Sequence, residues 1–174
     1  MNQEKNKTVL KKAVFFDRDG VLNKDYGYVY KCEDLHWVNG AVESIRILKD
    51  LGYLIIVVTN QSGVPRGFYS ENDVKKFHDF MNFQLKKNIG ATIDDFFYAF
   101  DSPKLDKVKV SRRKPNPAMI LEAVEKYKIN KDKSFLVGDK ETDLLAAKNA
   151  GIKAFIFEGK NLLVLIRKIL KNKI

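Results

Sequence analysis

The chain has 174 residues, 45% apolar and 31% charged, with a net charge of +10, a composition ordinary for one globular domain with a proper core. No stretch approaches the roughly 18 uninterrupted apolar residues of a membrane span, and the lysine-dotted first twelve residues make no secretory signal, so the cytoplasm is the expected location. Cys32 is the only cysteine, which excludes an internal disulfide and any cluster of cysteine ligands.

The basic charge sits in residues 1–12, 101–114 and 160–174. Two tails and one loop suit solubility plus an anion-binding loop better than a continuous groove for nucleic acid. His36 and His78 are the only histidines and read as surface or flank residues, not ligands.

In chain order, Ala13-Val14-Phe15-Phe16 is a short apolar run that stops on Asp17-Arg18-Asp19-Gly20, the pattern of a buried strand ending on two acids. Residues 20–38, with Tyr26, Gly27, Tyr28, Tyr30 and Trp37, lack regular periodicity and read as a loop folded over that strand end. A helix runs from Asn39-Gly40 through Asp50, with Gly52 as its stop. Tyr53 to Val58 is a second strand, ending on Thr59-Asn60-Gln61-Ser62-Gly63. Ser70 and Asp73 form a capping-box variant opening a helix to about Lys87, and residues 92–100 supply a third strand. After the basic, proline-bearing stretch from Asp101 to Pro117, a helix runs to about Lys128. Ser134 to Val137 is a fourth strand that stops on Gly138-Asp139-Lys140. A helix from about Thr142 to Ala150 leads to a fifth strand, Ala154 to Phe157, and an amphipathic helix spans Asn161 to Lys171. Strands alternating with helices predict a three-layer α/β/α sandwich on a central parallel sheet. No repeat, linker or boundary interrupts it, so residues 1–174 are expected to form one domain.

Four segments finish with residues suited to a phosphate: Asp17 and Asp19, Thr59 and Asn60, Arg113 and Lys114, and Asp139. In a parallel sheet these ends share one edge. Two acids so close repel each other, and placing them beside a buried strand is costly unless a cation or a reacting proton needs them there. Alone, each has a plainer reading: an Asx turn for Asp17 and Asp19, a turn cap for Thr59 and Asn60, a solvated charge for Lys114, a helix N-cap for Asp139.

Taken together, Phe16-Asp17-Arg18-Asp19-Gly20-Val21, Val58-Thr59-Asn60, Lys114 with Pro115 and Pro117, and Gly138-Asp139-Lys140-Glu141-Thr142-Asp143 resemble, in order, the four motifs of the haloacid dehalogenase superfamily. The resemblance covers residues 13–157. Tyr26-Gly27-Tyr28-Val29, Thr59 to Gly63, Arg66-Gly67 and Arg113-Lys114-Pro115 resemble more narrowly its heptose 1,7-bisphosphate phosphatases, with histidinol-phosphate phosphatases sharing much of the pattern. The resemblance implies a Mg2+-dependent phosphatase: Asp17 as nucleophile, Asp19 as general acid and base, Thr59 and Lys114 on the phosphoryl oxygens. Mg2+ would be held by Asp17, the Asp19 main-chain carbonyl and Asp139. Asp143 is left as a supporting residue. The spacing leaves no room for a cap domain, so specificity is expected from Asp25, Tyr26, Gly27, Tyr28, Asn60, Gln61, Ser62, Arg66, Arg113 and Lys140. The substrate class implied is a small sugar phosphate, with histidinol phosphate, a nucleic-acid 3′-phosphate or a non-enzymatic basic binding module as rival readings; a monomer is expected. Superfamily bisphosphatases commonly hold the 101–114 loop with zinc on a Cys-x-His and a Cys-x-Cys pair. This chain has Ala99 and Asp101, then Val110 and Arg112, so no zinc is expected.

Overall fold

Ala13–Phe16 forms strand β1, with all four side chains fully buried. Burial on both faces is what an unbroken run of Ala, Val and Phe requires, and it places β1 inside a parallel sheet. The computed structural model describes residues 9–101 and 111–172; the basic stretches at 1–8 and 102–110 lie outside them. The elements follow in the order α1 (Ala41–Asp50), β2 (Leu54–Asn60), α2 (Glu71–Ile89), β3 (Asp95–Ala99), α3 (Ala118–Tyr127), β4 (Phe135–Gly138), α4 (Glu141–Ala150), β5 (Lys153–Ile156) and α5 (Leu162–Lys171). The loop after β1 carries one 3₁₀ turn, Cys32–Asp34.

All strands pair in parallel, in the order β3-β2-β1-β4-β5. The chain builds leftward from β1 through β2 to β3, then crosses back to add β4 on the other side. The order therefore reverses between β1 and β4, where an open α/β sheet leaves its ligand crevice.

Side-chain alternation splits the core in two. Val14, Phe16, Ile55, Val57, Phe135 and Val137 face α1, α2 and α5; Ala13, Phe15, Ile56, Val58 and Leu136 face α3 and α4. The expected three-layer sandwich is thus the observed one, and among the described residues there is no cap domain. Element ends moved by one to three residues. The largest change for the site is that β2 continues through Thr59 and Asn60, because both pair with β3 opposite Tyr98 and Ala99.

Candidate active site

β1 ends beside β4, with the Asp17 main-chain N–H donating to the Val137 carbonyl at 3.1 Å. Asp17 is 6% exposed. Its Oδ1 accepts from the Arg18 main-chain N–H and pairs with Lys114 Nζ, each at 2.8 Å. Lys114 is equally buried and uses its whole ammonium: Asp17 Oδ1 at 2.8 Å, Asp143 Oδ1 at 2.6 Å and the Val58 carbonyl at 2.8 Å. Burial alone would lower the lysine's pKa, but the two carboxylates outweigh it and hold the ammonium above its ordinary value. Burial lifts Asp17 to about 6, with Lys114 pulling it back and Asp143 adding to the rise.

Asp143 anchors this arrangement. It is completely buried on the first turn of α4, and its Oδ2 accepts the main-chain N–H groups of Asp139 at 3.2 Å and Lys140 at 3.0 Å. A carboxylate there satisfies the orphan donors of the helix start and suits the dipole. Position 138 must be glycine, since a Cβ would stand 2.2 Å from that of Asp143.

Asp17, Asp139 and Asp143 bring carboxylate oxygens within 4.8 Å of one another. Two ammonium groups, Lys114 and the half-exposed Lys140 4.0 Å from Asp139 Oδ2, still leave three acids one positive charge short, and Asp139 Oδ1 is buried without a hydrogen-bond partner. Burial also raises Asp139. An orphaned carboxylate oxygen in an acid-rich pocket fits a hard, oxygen-seeking cation such as Mg2+. At the four positions that would carry zinc ligands for the 101–114 loop, the residue types offer at most one. Asp101 accepts a hydrogen bond from the Ser111 hydroxyl, Arg112 forks onto Glu122 at 3.0 and 2.5 Å, and neither Ala99 nor Val110 carries a donor.

Asp19 stands apart from the cluster, its two oxygens held by Arg18 at 2.9 Å each, Asn23 at 2.9 Å and Gln61 at 3.0 Å. Asn60 grips the main chain of Lys114, donating to its carbonyl at 3.2 Å and accepting its N–H at 3.0 Å. β2 thereby sets the height of the lysine. Around these groups lies a cavity of about 390 Å³, lined also by Asp25, Gly27, Tyr28, Ser62, Arg113 and Lys140, within the range of small-ligand sites. Arg113 Nη1 is buried without a partner. Lys140 approaches Asp25 at 3.7 Å. Tyr28 holds a left-handed φ of 57°, unusual outside glycine, with its ring edge-on to Phe68.

Two expected binding residues lie outside the lining: Arg66 is exposed, and Tyr26 is 61% exposed against the His36 ring. His78 is not a surface residue. It is 4% exposed, stacked on Phe96, and its Nε2 accepts from Arg18 Nη1 at 3.3 Å. It belongs to the buried stripe of α2 with Val74, Phe77, Met81 and Leu85, a helical spacing visible in the sequence. Arg18, completely buried, was missed as well; an arginine between two strand-end acids is itself a sign of a buried counter-ion.

Burial and then the Arg18 charge hold His78 well below the ordinary histidine range, hence neutral. A group with a depressed folded-state pKa contributes stability above its unfolded value of about 6.5 and loses it as pH falls toward the folded value. Acidifying below about 6.5 should therefore lower the melting temperature of the wild type more than that of His78→Gln, which keeps an acceptor for Arg18. Parallel acid losses in the two proteins would refute this.

The fold and this crevice define a Rossmann-like hydrolase whose carboxylates stand at the sheet's switch point. Residues 105–157 match the model of the haloacid dehalogenase-like hydrolases. The chain is 41% identical to the D-glycero-beta-D-manno-heptose-1,7-bisphosphate 7-phosphatase of Rhodopseudomonas palustris, over 91% of this chain and 89% of that one. It is 43% identical to the D-glycero-alpha-D-manno-heptose-1,7-bisphosphate 7-phosphatase of Burkholderia mallei, over 81% and 76%. The crystal structure of D,D-heptose 1,7-bisphosphate phosphatase from B. bronchiseptica, complexed with magnesium and phosphate, superposes with a TM-score of 0.81 at 25% identity, covering 92% of this chain and 99% of that one. The chain belongs to the haloacid dehalogenase-like hydrolases, and within them it is a phosphatase acting on phosphomonoesters.

Proposed function

We propose that this chain is a Mg2+-dependent phosphatase that removes one phosphate from a heptose 1,7-bisphosphate, of the 7-phosphatase type, working as one capless domain and as a monomer. The observation that carries it is the buried Lys114 ammonium bridging Asp17 and Asp143 beside an unpartnered Asp139 oxygen. The relatives' names and the magnesium and phosphate of the B. bronchiseptica enzyme support the same reading.

Asp17 attacks phosphorus, the bond to the sugar oxygen breaks, and Asp19 donates a proton to that oxygen. Asp19 then takes a proton from the water that hydrolyses the aspartyl-phosphate on Asp17, regenerating the carboxylate. Asp17, Asp139 and the Asp19 carbonyl would hold Mg2+, which when bound neutralises phosphoryl oxygens so that a carboxylate can approach an anion. Thr59 donates to a phosphoryl oxygen and Lys114 offsets charge that grows in the transition state. Arg113 offers its unpartnered Nη1 to the second phosphate, where a planar fork suits a dianion. Asp25, Gly27, Tyr28, Ser62 and Lys140 contact the sugar, with Tyr26 and Arg66 at the rim, while Asn60 and Gln61 act through the groups they hold.

The test is phosphate release from both anomers of heptose 1,7-bisphosphate, sugar monophosphates, histidinol phosphate and a 3′-phosphorylated oligonucleotide. The expected result is preference for a heptose bisphosphate, loss of activity in EDTA and recovery with Mg2+, with no zinc in the purified protein. Equal rates on the monophosphates would remove the second-phosphate role of Arg113. Preference for histidinol phosphate or the oligonucleotide would replace the substrate.

A further inference from the structure

Gln61 lines the pocket, yet its side chain is spent inside the protein. It is 1% exposed, and its Nε2 donates one hydrogen to Asp19 Oδ2 at 3.0 Å and the other to Thr59 Oγ1 at 2.9 Å. Its Oε1 accepts the Tyr69 hydroxyl at 2.8 Å. The Asp19 oxygens accept from Arg18 and Asn23 as well, and it is the NH2 end of the Gln61 amide that completes this set of donors. The Tyr69 hydroxyl secures that orientation from the other side.

Tyr69 is itself held. It is 7% exposed, and its ring stacks on Tyr30 with centroids 4.7 Å apart. It presses so closely on Gly63 that a Cβ there would lie 2.1 Å from a ring carbon. The direction of the hydrogen bonds carries the consequence. Because Thr59 Oγ1 already takes a hydrogen from Gln61, the hydroxyl's own hydrogen is left to point elsewhere, as a group donating to a phosphoryl oxygen must. Because Asp19 Oδ2 is tied to the same amide, the acid and the phosphate-binding hydroxyl keep a constant relation.

We propose that Tyr69 and Gln61 are a positioning pair that orients Asp19 for proton transfer to the leaving group and Thr59 for donation to the phosphoryl group. The proposal rests on the reading of Asp19 as general acid. It makes a demand that a merely structural role does not: loss should depend on the leaving group. Proton donation is worth about 10²- to 10⁴-fold where the leaving group is a poor one. An aryl oxide leaves without a proton, whereas a sugar alkoxide needs one.

The experiment measures kcat/KM, with Mg2+ present, on heptose 1,7-bisphosphate and on p-nitrophenyl phosphate, for the full chain and for Tyr69→Phe, Gln61→Leu and the double variant. Thermal melts show which variants fold. On the sugar ester we expect Tyr69→Phe to lose about tenfold and Gln61→Leu about 100-fold, each at least fivefold more than on the aryl ester. In the double variant, removal of the hydroxyl adds less than twofold to the Gln61→Leu loss, because Tyr69 acts through Gln61. If Gln61→Leu does not fold, the leaving-group ratio of Tyr69→Phe decides alone. Equal losses on both esters, or fully additive losses in the double variant, overturn the proposal with the phosphatase reading intact. A wild-type chain that hydrolyses neither ester removes that reading and the proposal with it.

Discussion

Asp17→Asn should abolish turnover, a loss on the order of 10⁵-fold in kcat, while raising the melting temperature of the metal-free protein. The first effect follows because an amide is no nucleophile and brings no charge to a cation; losing the attacking group of a covalent mechanism has an effect of this size. The second follows from the burial that lifts Asp17 to about 6. Its folded pKa is above the unfolded value of 3.8, so its contribution to stability is fully present below about 3.8 and is lost as pH rises through about 6. At neutral pH the ionised carboxylate therefore opposes folding. Asparagine mimics the protonated acid and relieves much of that. Phosphate release by purified Asp17→Asn at more than a thousandth of the wild-type rate would end the nucleophile assignment. A melting temperature at or below wild type in EDTA would show that burial of the charge is not opposing folding.

Lys114→Met should lower kcat/KM by about 10³-fold and also destabilise the chain. Removing the ammonium takes away a preorganised charge beside the phosphoryl group, worth about 10²- to 10³-fold. It also leaves Asp17 and Asp143 buried together without their shared counter-ion, a loss of roughly 3–5 kcal/mol where one partner of a buried pair is deleted. Asp17 then rises further above 6, and part of the lost activity should return as pH is raised and the carboxylate ionises. Lys114→Arg should not restore function, because the site offers three acceptors to one compact ammonium, two carboxylates and the Val58 carbonyl, and a planar fork cannot take that place. Wild-type kcat/KM in folded Lys114→Met would refute the electrostatic role.

Much of the site was legible before any coordinates. β1, β2 and β4 are apolar runs that stop abruptly on polar residues, and in a parallel sheet the chain has no choice but to deliver those ends to one edge. Once the resemblance had marked out the motifs, the spacing between them left no room for a cap domain. The burial of His78 was legible too, on the helical stripe of α2, and was missed because a lone histidine was weighed by its type rather than by its period.

Other features had no sequence signal. Nothing local shows that the amide of Gln61 meets Tyr69 eight residues on, or that Asn60 clasps the main chain of Lys114 across 54 residues. Nor does the sequence reveal that Asp143 is completely buried and shares the lysine with Asp17.

The sequence by itself determined the strand-and-helix order, the parallel sheet and the identity of the acids and cations at its edge, because periodicity and chain polarity act locally and do not depend on distant partners. Only the tertiary structure decided which of those groups face one another, which hydrogen goes to which oxygen, and how far burial raises Asp17. Those depend on distances between segments remote in the chain, and in a low-dielectric interior a difference of an ångström decides whether a charge is paired or stranded.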